Sequence, residues 1–477
     1  MHNKTYPDLD RLFHPRNVAI VGASPRPIGI QWGGNTYIEG SISLNFKGKL
    51  FPVHPKAESI LGYKAYRRIS DIPEDIDLVI FSVPHSTVLS VMHDCVKKRV
   101  KFVHLFTAGF SETGRKKNAA IEAELLKLAR EGGIRIVGPN CMGLYCPEGG
   151  LSWARELPNK PGAVGFISQS GQLAGHFIGA GSHHGLSFSK VVSFGNGLDL
   201  KCHDFLQFLA RDEKTKIIGA YLEGLKDGRA FFEAARNIAL NKPLVVWKGG
   251  QFDGGARAAK SHTGSMAGSL QIFRAACEQL GIIIVNSLEE MVCTVVGLRR
   301  LPLPRGKNVA ILGGGGGGSV TMTDAAEREG LNVPQLSQKT IRGLQKFVPV
   351  QGTSVRNPLD MMLALIEKKN FMTTIELLRD DPNIDALIFL QPVHWSHQIG
   401  GRASLEAFIE ITLDGIKTLE KPMFIALEQT QSLDGEAVRL EALEKYNHSG
   451  IPTFPSFSVA ARVVDNMSQY HALLARQ

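Results

Sequence analysis

Residues 17–24, Asn-Val-Ala-Ile-Val-Gly-Ala-Ser, run from a short apolar stretch directly into a glycine turn, and Gly29, Gly33 and Gly34 follow. A continuous apolar run of this length suits a strand covered by helices on both faces. A glycine turn at its end lets backbone N–H groups and a helix N-terminus meet a phosphate. The spacing differs from the GxGxxG pattern. The second strand, Leu50–Val53, ends in His54-Pro55-Lys56. A dinucleotide site of the NAD type would place Asp or Glu there to hold ribose hydroxyls. Lysine instead suits an extra ribose phosphate, which NADP and coenzyme A both carry. The plain alternative is that these glycines only make a tight turn.

Outward from this turn the same unit repeats. Leu78–Val83 and Phe102–Phe106 read as further buried strands, and Thr87–Lys98 and Lys116–Glu131 as helices. The alternation predicts α/β doubly wound domains. The pattern restarts at the strand Ala163–Ser168, after the Pro/Gly/Trp-containing stretch 147–162. It restarts again at Asn308–Leu312, after the Leu-Pro-Leu-Pro-Arg-Gly linker at 301–306. Three domains are expected, at 1–146, 147–300 and 305–477. The run Gly313–Gly318 satisfies any glycine motif and so has little specificity; it reads as a backbone turn near a ligand or an interface.

Bulk composition narrows the class. Of 477 residues, 43% are hydrophobic and 21% charged, as in a soluble globular protein able to bury ordinary cores. The formal net charge of +9 is compatible with polyanionic small ligands, but no Lys/Arg block is long enough for a nucleic-acid tail. The densest run, Lys97-Lys98-Arg99, reads as the exposed end of a helix. Cysteines at 95, 141, 146, 202, 277 and 293 form no CxxC pair and no zinc-type spacing, so free thiols in a reducing compartment and no metal site are expected. No stretch of about 18 apolar residues offers a membrane span. The N-terminus has no apolar core of the signal type. A cytoplasmic address is expected.

The chemistry gathers in the middle of the chain. Ser261-His262-Thr263-Gly264 lies in a Gly/Ala-rich connection between the strand Pro243–Trp247 and the helix Leu270–Leu280. Small and hydroxylated neighbours leave room for a bulky anion. An imidazole nitrogen is a competent nucleophile toward phosphorus when its other nitrogen is oriented. Glu223 follows the strand Ile217–Leu222 and is the candidate orienting acid. Ser168-Gln169-Ser170-Gly171 follows a strand and opens a helix, where free N–H groups and two hydroxyls make an anion site. An ordinary N-cap serine is the alternative. Residues following parallel strands gather at the carboxyl edge of a sheet, so Glu223 and the loop bearing His262 are expected to share that edge. Gly195-Asn196-Gly197 and Asp199 are expected on it too.

Taken together, Val21–Ser24, Pro52–Lys56, Thr107–Phe110, Gly138–Cys141, Ser168–Gly171, Tyr221–Gly224, Ser261–Gly264 and Asn357–Asp360 occur in an order that resembles the α subunit of ADP-forming acetyl-CoA synthetase, within the succinyl-CoA synthetase superfamily. The resemblance covers nearly the whole chain. It implies a Rossmann-type CoA-binding domain followed by two flavodoxin-like domains. It implies reversible conversion of acyl-CoA, ADP and phosphate into acid, CoA and ATP. His262 matches the family's phosphorylated histidine and Glu223 the acid that supports it. Ser168, Gln169, Ser170 and Gly171 match its phosphate-binding helix start, with Ser261, Thr263 and Gly264 beside the histidine. Gly22, Ala23, Ser24, Lys56 and Asn140 fall in its cofactor loops.

The resemblance places the family's nucleotide site in an ATP-grasp unit, fused or separate, and that unit is not expected within these 477 residues. An ATP-grasp β subunit is therefore expected as partner, with Mg²⁺ accompanying ADP or ATP, in a hetero-oligomer such as α2β2. The third domain departs from the family in carrying six glycines after Leu312. Two competing readings are a non-catalytic CoA-binding or regulatory protein and an NADP-dependent oxidoreductase. The second explains neither Ser261–Gly264 nor Ser168–Gly171.

Overall fold

The computed structural model describes residues 8–25, 33–255, 257, 269–349, 351, 353–430 and 432–476. The chain divides into two compact units, one ending at Leu288 and the other beginning at Glu289. The first unit contains two sheets.

The amino-terminal sheet holds β1 (Asn17–Val21), β2 (Lys49–Val53), β5 (Leu78–Phe81), β6 (Phe102–Leu105) and β7 (Arg135–Val137). A small separate ribbon of β3 (Ser59–Ile60) and β4 (Tyr63–Lys64) folds back beside β2, where the segment after it bridges Tyr66 to Val53. The order is β2-β1-β5-β6-β7, all parallel. The chain leaves β1 to one side and returns to the other, so the crevice above β1 and β5 is the topological switch point. The strands are apolar because helices cover both faces; Ala19, Val79, Phe81 and Val103 are fully buried. At the end of β1, Gly22 has φ +95°, and a Cβ there would run into the Ser82 carbonyl. Only glycine fits that turn.

The second sheet is built from β8 (Gly143–Tyr145), β9 (Pro161–Ser168), β10 (Phe188–Ser193), β11 (Ile217–Leu222), β12 (Leu244–Lys248) and β13 (Ile283–Val285). Its order is β13-β12-β11-β9-β10-β8, parallel except for β8, which runs antiparallel to β10 at the edge. The β9–β11 register pairs Ser168 with Tyr221, and the β11–β12 register pairs Leu222 with Lys248. Three consecutive strands therefore end level with one another.

In the second unit, β14 (Val309–Leu312), β15 (Ala386–Leu390), β16 (Met423–Ala426) and β17 (Thr453–Phe454) form a parallel sheet in that order, with an apolar core on each face. The glycine run follows β14 and leads into the helix Gly317–Arg328. The Asn357–Asp360 segment props it up. Asn357 accepts from Ile311 N–H at 3.0 Å and donates to the Val309 carbonyl at 2.7 Å, while Asp360 accepts from Gly316 N–H at 2.8 Å.

Among the described residues no helix is long and apolar enough to cross a membrane. All six cysteines are buried and free.

Candidate active site and cofactor cavity

The crevice above β1 and β5 opens into a cavity of about 680 Å³. Val21, Gly22, Val53, Val83, Pro84 and Ile69 supply apolar wall, and Arg67, Arg68, Lys97, His54 and His93 supply cationic or proton-donating groups. Among the described lining residues the one carboxylate, Asp94, is turned to the N–H groups of Ile69 and Ser70, at 2.7 and 3.1 Å. His54 Nδ1 accepts from Lys56 N–H and Ala57 N–H, at 3.1 and 2.9 Å, which fixes the turn after β2. Lys56 itself is exposed, and Pro55 rather than Lys56 lines the wall. Ser24 is clasped by Asn35, which accepts from Ser24 N–H at 2.7 Å and donates to its carbonyl at 2.8 Å. That clasp ties Gly22-Ala23-Ser24 to the helix Gly34–Ser43. Gly29 lies outside the described residues.

Sequence reasoning missed Arg67 and Arg68; Lys97 is at an exposed helix end as expected, and its place beside the cavity was not foreseen. The dibasic pair was the available signal. A large, partly apolar crevice ringed by cations fits a ligand with an organic body and several phosphates, which is the chemistry of coenzyme A.

The second constellation sits where β9, β11 and β12 end. Ser168 is fully buried; its hydroxyl donates to the Ser170 carbonyl at 2.6 Å and accepts from Ser170 N–H at 3.1 Å. Ser170 caps the helix Gly171–His183 by accepting from Leu173 N–H at 3.3 Å. The helix start thus presents its positive end at the sheet edge. Gly171 is required by close approach, because a Cβ there would strike the Met142 side chain. Gln169 reaches across to the next strand, where its side-chain carbonyl accepts from Glu223 N–H and, at 3.0 Å, from Gly224 N–H.

Glu223 is buried, with Tyr221 OH donating to its Oε1 at 3.4 Å. On its other side Lys248, also buried, donates to the carbonyls of Glu223 and Gly249 at 2.6 and 2.5 Å. Burial pulls the Lys248 pKa below the ordinary lysine value, and the Glu223 charge works against that pull. Burial raises the Tyr221 phenol, reinforced by Glu223. The structure therefore brings Ser168–Gly171 and Glu223 to one edge, together with the root of the connection that leads to His262. Ser261, His262, Thr263 and Gly264 lie outside the described residues.

Loops from both sheets of the first unit bind the two places together. Asn140 has φ +59° and donates its N–H to the Thr107 carbonyl at 3.0 Å, while Asn196 N–H donates to the Pro139 carbonyl at 3.0 Å. Glu112 accepts from Gly109 and Phe110 N–H groups through Oε1, and from Asn196 Nδ2 at 2.7 Å through Oε2. Asp199 is structural: it takes the Arg135 guanidinium at 2.7 Å and Ile136 N–H at 3.0 Å. Tyr37, on the helix after the cofactor turn, donates to the Met142 carbonyl at 3.2 Å, and Met142 in turn abuts Gly171. Among the described residues no group of three or more His, Cys, Asp or Glu is placed to hold a metal ion.

These features define a two-part ligase core. Residues 16–147 match the model of a CoA binding domain, and residues 161–298 match that of the succinyl-CoA ligase like flavodoxin domain. The chain is 38% identical over 386 residues to the acetate–CoA ligase [ADP-forming] II subunit alpha of Pyrococcus furiosus, covering 80% of this chain and 81% of that one. It is 34% identical over 474 residues to the acetate–CoA ligase [ADP-forming] II of Archaeoglobus fulgidus, covering 98% of this chain and 67% of that one. The dinucleotide forming acetyl-coenzyme A synthetase 1 of Ca. Korarchaeum cryptofilum, solved in complex with phosphate and ADP, superimposes with a TM-score of 0.83 at 32% identity, covering 98% of both chains. The chain belongs to the ADP-forming acetate–CoA ligase family and is an acid–thiol ligase chain of the α type.

Proposed function

We propose that this chain carries the acyl-transfer and histidine-phosphorylation steps of an NDP-forming acyl-CoA synthetase. The observation that carries the reading is the Gln169 clasp. It fastens Glu223 to the Ser168–Gly171 helix start at the edge from which the His262 connection departs.

In the ATP-forming direction a phosphate oxygen attacks the thioester carbonyl carbon. The C–S bond breaks, CoA leaves as thiolate, and an acyl phosphate forms. The His262 imidazole nitrogen then attacks phosphorus, and the P–O bond to the carboxylate breaks, releasing the acid. ADP's terminal phosphate oxygen next attacks phosphorus, the P–N bond breaks, and ATP forms. Splitting the exchange this way replaces one difficult step with easier ones. Glu223 accepts the other imidazole N–H and so stabilises the cationic ring. The N–H groups at the helix start, with Ser261, Thr263 and Gly264, hold phosphoryl oxygens in place. Gly22, Ala23, Ser24 and Asn140 shape the cofactor loops, and Lys56 stands at the rim.

The nucleotide, with its Mg²⁺, is bound by a separate ATP-grasp subunit. The relative of P. furiosus is named as an α subunit, and the longer A. fulgidus relative has a further third of its length beyond the match. The division into 1–146, 147–300 and 305–477 and a cytoplasmic address belong to the same proposal. The substrate is a small carboxylic acid.

The test is ATP synthesis by the chain reconstituted with its partner subunit, using acetyl-CoA, phosphate and ADP. Phosphate- and ADP-dependent release of CoA supports the reading. CoA binding without any turnover would favour a regulatory CoA-binding protein instead.

A further inference from the structure

Lys248 is the last residue of β12, at the end of the otherwise apolar run Leu244–Trp247. The residue is 5% exposed, and its ammonium holds two backbone carbonyls, those of Glu223 and Gly249. The first belongs to the acid at the sheet edge. The second opens the connection that leads to His262. Two of the three ammonium donors thus tie the end of β11 to the root of that connection. Packing reinforces the same joint, because Gly249 N–H donates to the Leu222 carbonyl at 2.8 Å and a Cβ on Gly249 would strike the Tyr221 hydroxyl.

A hydrogen-bonding neutral side chain could satisfy two carbonyls without the cost of burying a charge. A buried ammonium therefore calls for a reason tied to charge. Glu223 supplies half of it, as a buried carboxylate on the adjoining strand end. A phosphoryl dianion supplies the rest. Brought beside Glu223, it would meet the field of that buried side chain and of the two carbonyls that converge on the Lys248 ammonium, and at low effective dielectric such repulsion is strong. With Lys248 in place both carbonyl dipoles are capped by a cation whose charge opposes that of Glu223.

We propose that Lys248 is a positioning residue: it holds Glu223 and the root of the His262 connection together, and it neutralises the edge so that a phosphoryl group can enter beside Glu223. This rests on the phosphohistidine reading of the preceding section and adds a residue to it.

The test uses the chain reconstituted with its partner subunit, comparing wild type with K248Q, K248M and K248R. K248Q keeps an N–H donor without charge, K248M keeps apolar bulk, and K248R keeps the charge. CoA binding, which belongs to the amino-terminal sheet, reports on folding. The expected result is unchanged CoA affinity in K248Q. Its KM for phosphate rises roughly tenfold or more, and label transfer from γ-labelled ATP to His262 slows. K248R should regain a substantial part of both losses. If K248M does not fold, K248Q and K248R decide the matter between them. A folded K248Q with wild-type phosphate KM and wild-type labelling would overturn this inference alone. Absence of label on the wild-type complex would overturn the parent reading, and this inference with it.

Discussion

The side-chain carbonyl of Gln169 accepts the backbone N–H groups of both Glu223 and Gly224, so the loop after β9 grips the loop after β11. Both donors are buried, and removing their acceptor leaves them unsatisfied. Q169A is expected to lose about 1–3 kcal/mol of stability in a denaturant titration. Q169E keeps the acceptor but sets a second carboxylate beside Glu223. It should stay closer to wild type in stability while slowing phosphorylation of His262. A Q169E variant with wild-type labelling would show that the clasp contributes stability only.

The cationic rim of the cofactor cavity makes a prediction about salt. Arg67, Arg68 and Lys97 line the cavity, and Asp94, the carboxylate among the described lining residues, is occupied by backbone donors. CoA affinity measured by calorimetry should therefore weaken as ionic strength rises, because exposed charges are screened. Replacing Arg68 with alanine should cost roughly tenfold in Kd, about 1.4 kcal/mol. NADPH shares the extra ribose phosphate but not the pantetheine arm. Tight NADPH binding with no CoA binding would contradict the assignment of the cavity.

Much of this was legible in the sequence, for identifiable reasons. The strand-turn-helix at residues 17–24 announces itself because a buried parallel strand must be apolar throughout and its turn must be glycine. Glu223 and Ser168 could be placed on one edge because residues that follow parallel strands gather there. Gln169 could not be read as the bridge, since that role depends on β9 and β11 being neighbours, and strand order is a long-range property. Lys248 was not singled out, because the strand was read as Pro243–Trp247 and nothing local distinguishes a buried strand-end lysine from a solvated one. Arg67 and Arg68 reach the cavity only because the β3–β4 ribbon and the segment after it fold back across β2. Lys97 is at the exposed helix end where the sequence put it, but the crevice beside that helix was not visible.

His104 offers a pH test of the first sheet. It is buried on β6, its Nε2 lies 3.1 Å from the Cys141 carbonyl, and its ring fills the space facing Gly143. Burial lowers its pKa to about 4, against the usual 6.5, with the Cys141 hydrogen bond acting in the opposite direction. A folded-state pKa below the unfolded one means that the unfolded chain takes up the proton first. The stabilisation is complete above about pH 6.5 and is lost as pH falls toward about 4, on the order of 3 kcal/mol in full. Thermal melts of wild type should therefore decline through this window. H104Q should show a lower plateau and a flatter slope. Parallel pH profiles for the two proteins would contradict the assignment.

The central claim is that His262 carries the phosphoryl group between acyl phosphate and nucleotide. Its most direct test is incubation of the chain, with its partner subunit, Mg²⁺ and γ-labelled ATP, beside the H262A variant. The account predicts acid-labile, base-stable label on the wild-type chain and none on H262A. No label on the wild type in a complex whose partner binds nucleotide, or equal label on H262A, would contradict it.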